Sequence, residues 1–141
     1  MIILDTNVVS ALMRERAEPR VTTWLDRQPV ESIWITSITV YETALGVALL
    51  PKSRRRSALE AAWRQILDID LDHRVLDFDR AAAEASALLS AERRRGGRVV
   101  DVRDTEIAGI ALARRAALAT RNTRHFADAG IALINPWNDQ A

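Results

Sequence analysis

The sequence predicts an α/β protein built on a parallel sheet. Two observations carry that expectation. Short apolar runs recur along the chain, and between them lie longer stretches with apolar residues at helical spacing. Strands that alternate with helices imply βαβ units, right-handed crossovers and a sheet covered on both faces.

The elements follow in order. Ile2-Ile3-Leu4 stops at an acid and reads as a buried strand. Asp5-Thr6-Asn7 supplies helix-capping side chains, and Val8, Val9, Leu12 and Met13 continue at helical spacing. Pro19 opens a second helix, with Val21, Trp24 and Leu25 toward the core. Ser32-Ile33-Trp34-Ile35-Thr36 is the second strand. Ser37 or Thr39 caps the next helix, which runs through Val40, Ala44, Leu45 and Ala48 and ends before Pro51. From Ser53 to about Leu67, the stripe Ala58, Leu59, Ala62, Trp63, Ile66 and Leu67 marks an amphipathic helix. Val75-Leu76 is a third strand. Asp77 or Asp79 caps an alanine-rich helix that stops at Gly96-Gly97. A further helix runs from Val102 or Arg103 to Arg115. Ala117-Leu118-Ala119-Thr120 and Ile131-Ala132-Leu133-Ile134 are the last strands, joined through a short helix after Thr123 that Gly130 ends.

Composition narrows the class. The 141 residues suit a single domain, 1–141, with 48% apolar and 28% charged side chains. No apolar run approaches the roughly 18–20 residues that cross a bilayer, so no membrane partner is expected. The opening Met1–Asp5 has no basic region and does not read as a signal peptide. There are no cysteines and only two histidines, which argues against thiolate and His-rich metal sites. A cytoplasmic location is expected. Net charge is +1, yet cations fall in blocks: Lys52, Arg54, Arg55 and Arg56, then Arg93, Arg94, Arg95 and Arg98. Such blocks either hold phosphates through forked hydrogen bonds or lie solvated at helix ends.

Ligands of parallel α/β sheets bind beyond the carboxyl ends of the strands. Asp5 directly follows the first strand, and Glu42 lies early in the helix after the second. Asp104 opens a helix that runs back toward the fourth strand, so its N-terminal end is at the same edge. Each acid alone is an ordinary helix cap or dipole partner. Three that converge repel one another and call for a cation. Oxygen ligands without Cys or His favour Mg²⁺, with Mn²⁺ the alternative, and a Mg²⁺ held by few carboxylates suits substrate phosphates. Two other acid chemistries are disfavoured. Asn7 stands where an aspartyl phosphatase places its second acid, and Lys52, the only lysine, is far from the last strand where a phospho-acceptor domain needs one.

Four segments together resemble the PIN-domain ribonucleases. Ile3-Leu4-Asp5-Thr6-Asn7-Val8-Val9 is similar to that family's first motif, and Thr36–Glu42 followed by Leu45-Gly46 to its second. Asp104-Thr105-Glu106-Ile107-Ala108 with Ile110-Ala111 resembles the third, and Ala119–Phe126 the fourth. The close, Ile134-Asn135-Pro136-Trp137, is similar to the VapC and FitB toxin branch. The resemblance implies a three-layer α/β/α fold with a five-stranded parallel sheet in order 3-2-1-4-5. It implies a toxin of a type II toxin–antitoxin pair, an endoribonuclease that cleaves RNA phosphodiesters through metal-activated water. It further implies a homodimer, an antitoxin partner that covers the acidic cleft, and contact with operator DNA only through that antitoxin.

On this reading Asp5, Glu42 and Asp104 are the metal-holding catalytic acids. The family often has a further acid in the fourth motif; here Asn122 and His125 hold its candidate positions. Asn122 is expected as a fourth catalytic residue that offers an oxygen without charge to a metal or its waters, which weakens the case for a second ion. That departure supports an alternative, a catalytically weakened binding or repressor subunit. Thr6 and Thr120 are expected to orient Asp5 or touch substrate, and Arg121 and Arg124 to meet RNA phosphates. Trp24, Trp34, Trp63 and Trp137 are expected in core and interface rather than stacked on bases.

Overall fold

The computed structural model describes residues 1–138, so the last three positions of the expected domain lie outside the described residues. Five parallel strands form one sheet in the order β3-β2-β1-β4-β5, as the family resemblance implied. They are β1 (Ile2–Leu4), β2 (Ile33–Thr36), β3 (Val75–Leu76), β4 (Ala117–Ala119) and β5 (Leu133–Ile134). β1 is central: Ile2 pairs with Ile33 on one side and with Ala117 on the other. Both flanking strands are therefore fixed in register against the run that ends at Asp5.

Strand alternation splits the core into two layers. Leu4, Ile33, Ile35 and Ala119 face α1 (Thr6–Met13), α2 (Pro19–Asp26) and α4 (Arg54–Arg64). Ile3 and Leu118 face α5 (Arg80–Arg95) and α6 (Val102–Arg114). The remaining helix, α3 (Ser37–Ala48), follows β2 and contacts α1, α4 and α6. Trp24, Trp63 and Trp137 are buried in the first layer, and Trp34 packs half-buried against the second. No helix among the described residues is long and apolar enough to cross a membrane.

Several element ends differ from the sequence reading, each for a local reason. Thr36, not Ser37 or Thr39, caps α3, because its hydroxyl accepts the Thr39 N–H at 3.1 Å. The Ser53 helix ends at Arg64 and passes into a wider π-type turn, Gln65–Asp70, in which Leu71 N–H reaches back to the Ile66 carbonyl. Asp79 caps α5, resolving the choice with Asp77. Asp101 caps α6, so Asp104 lies within its first turn rather than opening it. The final strand shortens to Leu133–Ile134.

α5 and α6 meet unusually closely, and Gly109 is the reason. A Cβ there would fall 1.8 Å from Ser86 Oγ and 2.6 Å from the Ala82 carbonyl. Only a bare backbone lets α6 settle against α5 at this distance. That approach sets where the first turn of α6, and with it Asp104, meets the sheet edge.

Candidate active site

Asp5 is held from all sides by neutral donors. Its own N–H completes the β1–β4 ladder to the Ala119 carbonyl at 2.9 Å, and the residue caps α1. One carboxylate oxygen accepts the Thr6 N–H at 2.8 Å. The other accepts the Thr120 hydroxyl at 2.7 Å and the Asn7 amide at 3.2 Å. Thr120 Oγ1 in turn accepts from the Asn122 N–H and from Asn7 Nδ2, so its one hydrogen is committed to Asp5. Asn7 uses its carbonyl oxygen to accept the Arg121 N–H. The first and fourth motif segments are thereby sewn together around one buried carboxylate.

Glu42 lies on α3 and reaches the same edge. Thr6 Oγ1 donates to Glu42 Oε1 at 2.8 Å. Having spent its hydrogen there, Thr6 must accept from Thr39 Oγ1, 2.9 Å away. Thr6, Thr39 and Glu42 thus form a hydroxyl chain that fixes the glutamate relative to Asp5. The other Glu42 oxygen faces Arg103 Nη1 at 3.7 Å. Asp104, on α6, is bound by His125, whose Nδ1 lies 3.0 Å from Asp104 Oδ2.

The three acids share one electrostatic neighbourhood. The Asp5 carboxyl is pushed up to about 6: burial raises it most, the nearby Asp104 and Glu42 carboxylates add to the rise, and the Thr120 and Thr6 hydrogen bonds oppose it. Asp5 is 4% exposed and forms no ion pair with an arginine or histidine among the described residues. Two further acids beside a buried carboxylate that pairs with no arginine or histidine are an oxygen donor set that suits a hard divalent cation. Among the described residues, however, no three acid or histidine side chains gather tightly enough to ligate one ion together. Glu42 and Asp104 are turned toward Arg103 and His125 instead.

The remaining predicted residues sit around this centre. Asn122 places its backbone N–H in the site through Thr120, while the residue is exposed at the rim. Arg121 lies over the Trp137 ring at 5.0 Å. Arg124 is exposed on the short turn Thr123–His125. The sequence reading missed Thr39 and Arg103 as neighbours of Glu42. Thr39 was detectable in principle, one helical turn before the glutamate. A groove of about 300 Å³ opens beside Thr6 and Glu42, between α1, α3 and α4, with Arg14 and Arg55 among its lining residues. A second cavity of about 410 Å³, lined by Leu12, Leu25 and Ile66 among others, holds none of the three acids.

Comparison with known proteins decides the family. The PIN domain model matches residues 2–132. The chain belongs to the PIN-domain family. This PIN-domain protein is 40% identical to the plasmid stability protein StbB of Pseudomonas syringae, over 97% of the chain and 99% of that relative. It is 37% identical to the VapC ribonuclease Y4jK of Sinorhizobium fredii, over 97% and 98%. The FitAcB crystal structure from Neisseria gonorrhoeae superposes with a TM-score of 0.88 at 35% identity, covering 98% of this chain and 99% of that one.

Proposed function

We propose that this PIN-domain protein is a divalent-cation-dependent endoribonuclease that acts as the toxin of a toxin–antitoxin pair in the cytoplasm. The observation that carries the reading is the buried Asp5 carboxylate, which pairs with no arginine or histidine among the described residues and has Glu42 and Asp104 as its acidic neighbours. Relatives named as a VapC ribonuclease and as a tRNA(fMet)-specific endonuclease support the substrate class.

In this reading Asp5, Glu42 and Asp104 hold Mg²⁺, or Mn²⁺, directly or through its waters. When bound, such an ion supplies Lewis acidity and a water of lowered pKa beside the phosphodiester. The chain's own residues do the rest. Thr6 and Thr120 orient the acids; a variant that cannot donate there leaves the carboxylates to rotate. Asn122 offers an uncharged oxygen at the rim. Arg121 and Arg124 meet the phosphates flanking the cut. The similar solved structures of FitAB bound to a DNA fragment and of DNA-bound VapBC from Salmonella typhimurium support an antitoxin partner and contact with DNA through that complex.

The test is cleavage of total bacterial RNA by purified protein, with Mg²⁺ and with EDTA. Wild type is expected to cut only with the metal. Asp5→Asn should lose at least about 10³-fold while keeping its fold, the scale of losing a group that acts in the transition state. The uncharged Asn122 favours a second reading, a binding subunit without catalysis. Wild type that is inert with Mg²⁺ yet still captures its antitoxin would select that reading.

A further inference from the structure

The second arginine block does not behave as its sequence suggested. Arg93, in the last turn of α5, is 3% exposed and faces inward, whereas Arg94 and Arg95 are exposed beside it. Burying a guanidinium is costly unless its nitrogens find hydrogen-bond partners. Arg93 finds them at three places. Its fork donates to both oxygens of Asp128, at 3.0 and 2.9 Å. Nη1 donates to Thr105 Oγ1 at 2.7 Å, and Nη2 to the His125 carbonyl at 2.8 Å.

Two of those partners matter for the site. Thr105 is the neighbour of Asp104 in the first turn of α6. His125 is the residue whose ring meets Asp104. One rigid, planar group therefore bolts the helix that carries the acid to the turn that carries its partner. We propose that Arg93 is a positioning residue, which sets the separation of Asp104 and His125 through Thr105 and the His125 carbonyl. The inference rests on the reading of the acid cluster as the reacting site. It assigns to Arg93 a role its exposed neighbours do not have, and it removes Arg93 from the set of phosphate contacts.

Arg93→Lys keeps the charge and loses the fork. Leu89→Ala is the control: it destabilises the same helix from a buried position in the same core layer, and an aliphatic side chain makes no hydrogen bond to Thr105 or to the turn. Cleavage is measured per folded molecule, alongside thermal unfolding. Arg93→Lys should lower kcat about tenfold with KM within about twofold of wild type, the scale seen when a ligand's supporting partner is lost. Leu89→Ala should lower Tm and leave kcat unchanged. Independently of activity, the NMR signals of the His125 ring should move toward those of a free histidine in Arg93→Lys and stay in place in Leu89→Ala. A kcat loss that tracks Tm equally in both variants, or unmoved His125 signals in Arg93→Lys, would overturn the proposal. If wild type cleaves nothing, the nuclease reading fails, and the NMR comparison still decides whether Arg93 positions His125.

Discussion

The inner and outer halves of the acid cluster are built on opposite principles. Asp5 is buried and held by a backbone N–H, a hydroxyl and an amide, all neutral. Glu42 and Asp104 are each about three-quarters buried at the side chain, and each faces a more exposed Arg103 or His125. Neutral dipoles fix an orientation without cancelling charge, so Asp5 keeps its demand for a cation. The outer acids instead face an arginine and an imidazole whose side chains are more exposed than the acids themselves. The difference separates a permanent anchor from two adjustable arms, and explains why the three acids are neighbours without forming a closed cage.

The sharpest test of the anchor is pH. The Asp5 carboxyl lies at about 6 in the folded protein against 3.8 ordinarily. At pH values below both, the proton is bound in folded and unfolded states alike, and the group costs no stability by ionising. As pH rises through 6, the folded state must bury a charge that the unfolded chain exposes freely, and stability is lost. The full window is worth up to about 3 kcal/mol. Urea unfolding of metal-free wild type and Asp5→Asn should show a stability difference that shifts by this amount, in favour of the variant, between about pH 4 and about pH 8. Saturating Mg²⁺ should shrink the shift, because a bound cation favours the ionised carboxylate. A difference that stays flat across pH would mean that Asp5 is not the uncompensated member.

Next in size is the loss of one neutral donor. Thr120→Val keeps the shape of the side chain and deletes the hydroxyl that serves Asp5, Asn7 and the Asn122 N–H at once. Cleavage at fixed Mg²⁺ should fall about 10–100-fold, with the metal concentration for half-maximal rate rising in step. If Thr120→Val cleaves as wild type does, the wiring around Asp5 is structural only.

The same contrast marks what could be read from the sequence. Asp5 was legible because an apolar run that stops at an acid places that acid at a strand's end whatever surrounds it. The convergence of Glu42 and Asp104 followed from topology, since helices after and before parallel strands begin at one edge. Cap identity was not legible: Thr36, Ser37 and Thr39 offer the same chemistry within four positions, and only the path of the chain makes Thr36 the acceptor. Arg93 could not be told from Arg94 or Arg95. Its partner Asp128 lies 35 residues away, and nothing local announces that pairing. What strand order fixes was readable; the choice among equivalent nearby caps, and the pairing of a side chain with one distant partner, were not.

The smallest effect belongs to the arms. Arg103 reaches Glu42 at 3.7 Å, stands 6.0 Å over the Tyr41 ring, and has a side chain 41% exposed. A pair this long and this wet contributes at most about 1 kcal/mol, and salt screens it. Arg103→Ala should therefore leave urea stability within about 0.5 kcal/mol of wild type. It also removes a positive charge from the approach to the acids, so isothermal titration should show Mg²⁺ binding about twofold more tightly at low salt, with the gain fading near about 0.5 M salt. A tenfold weakening of Mg²⁺ binding would invert the comparison: Arg103 would then be holding Glu42 in place for the ion, as Thr120 holds Asp5, and the outer acid would be as firmly built as the inner one.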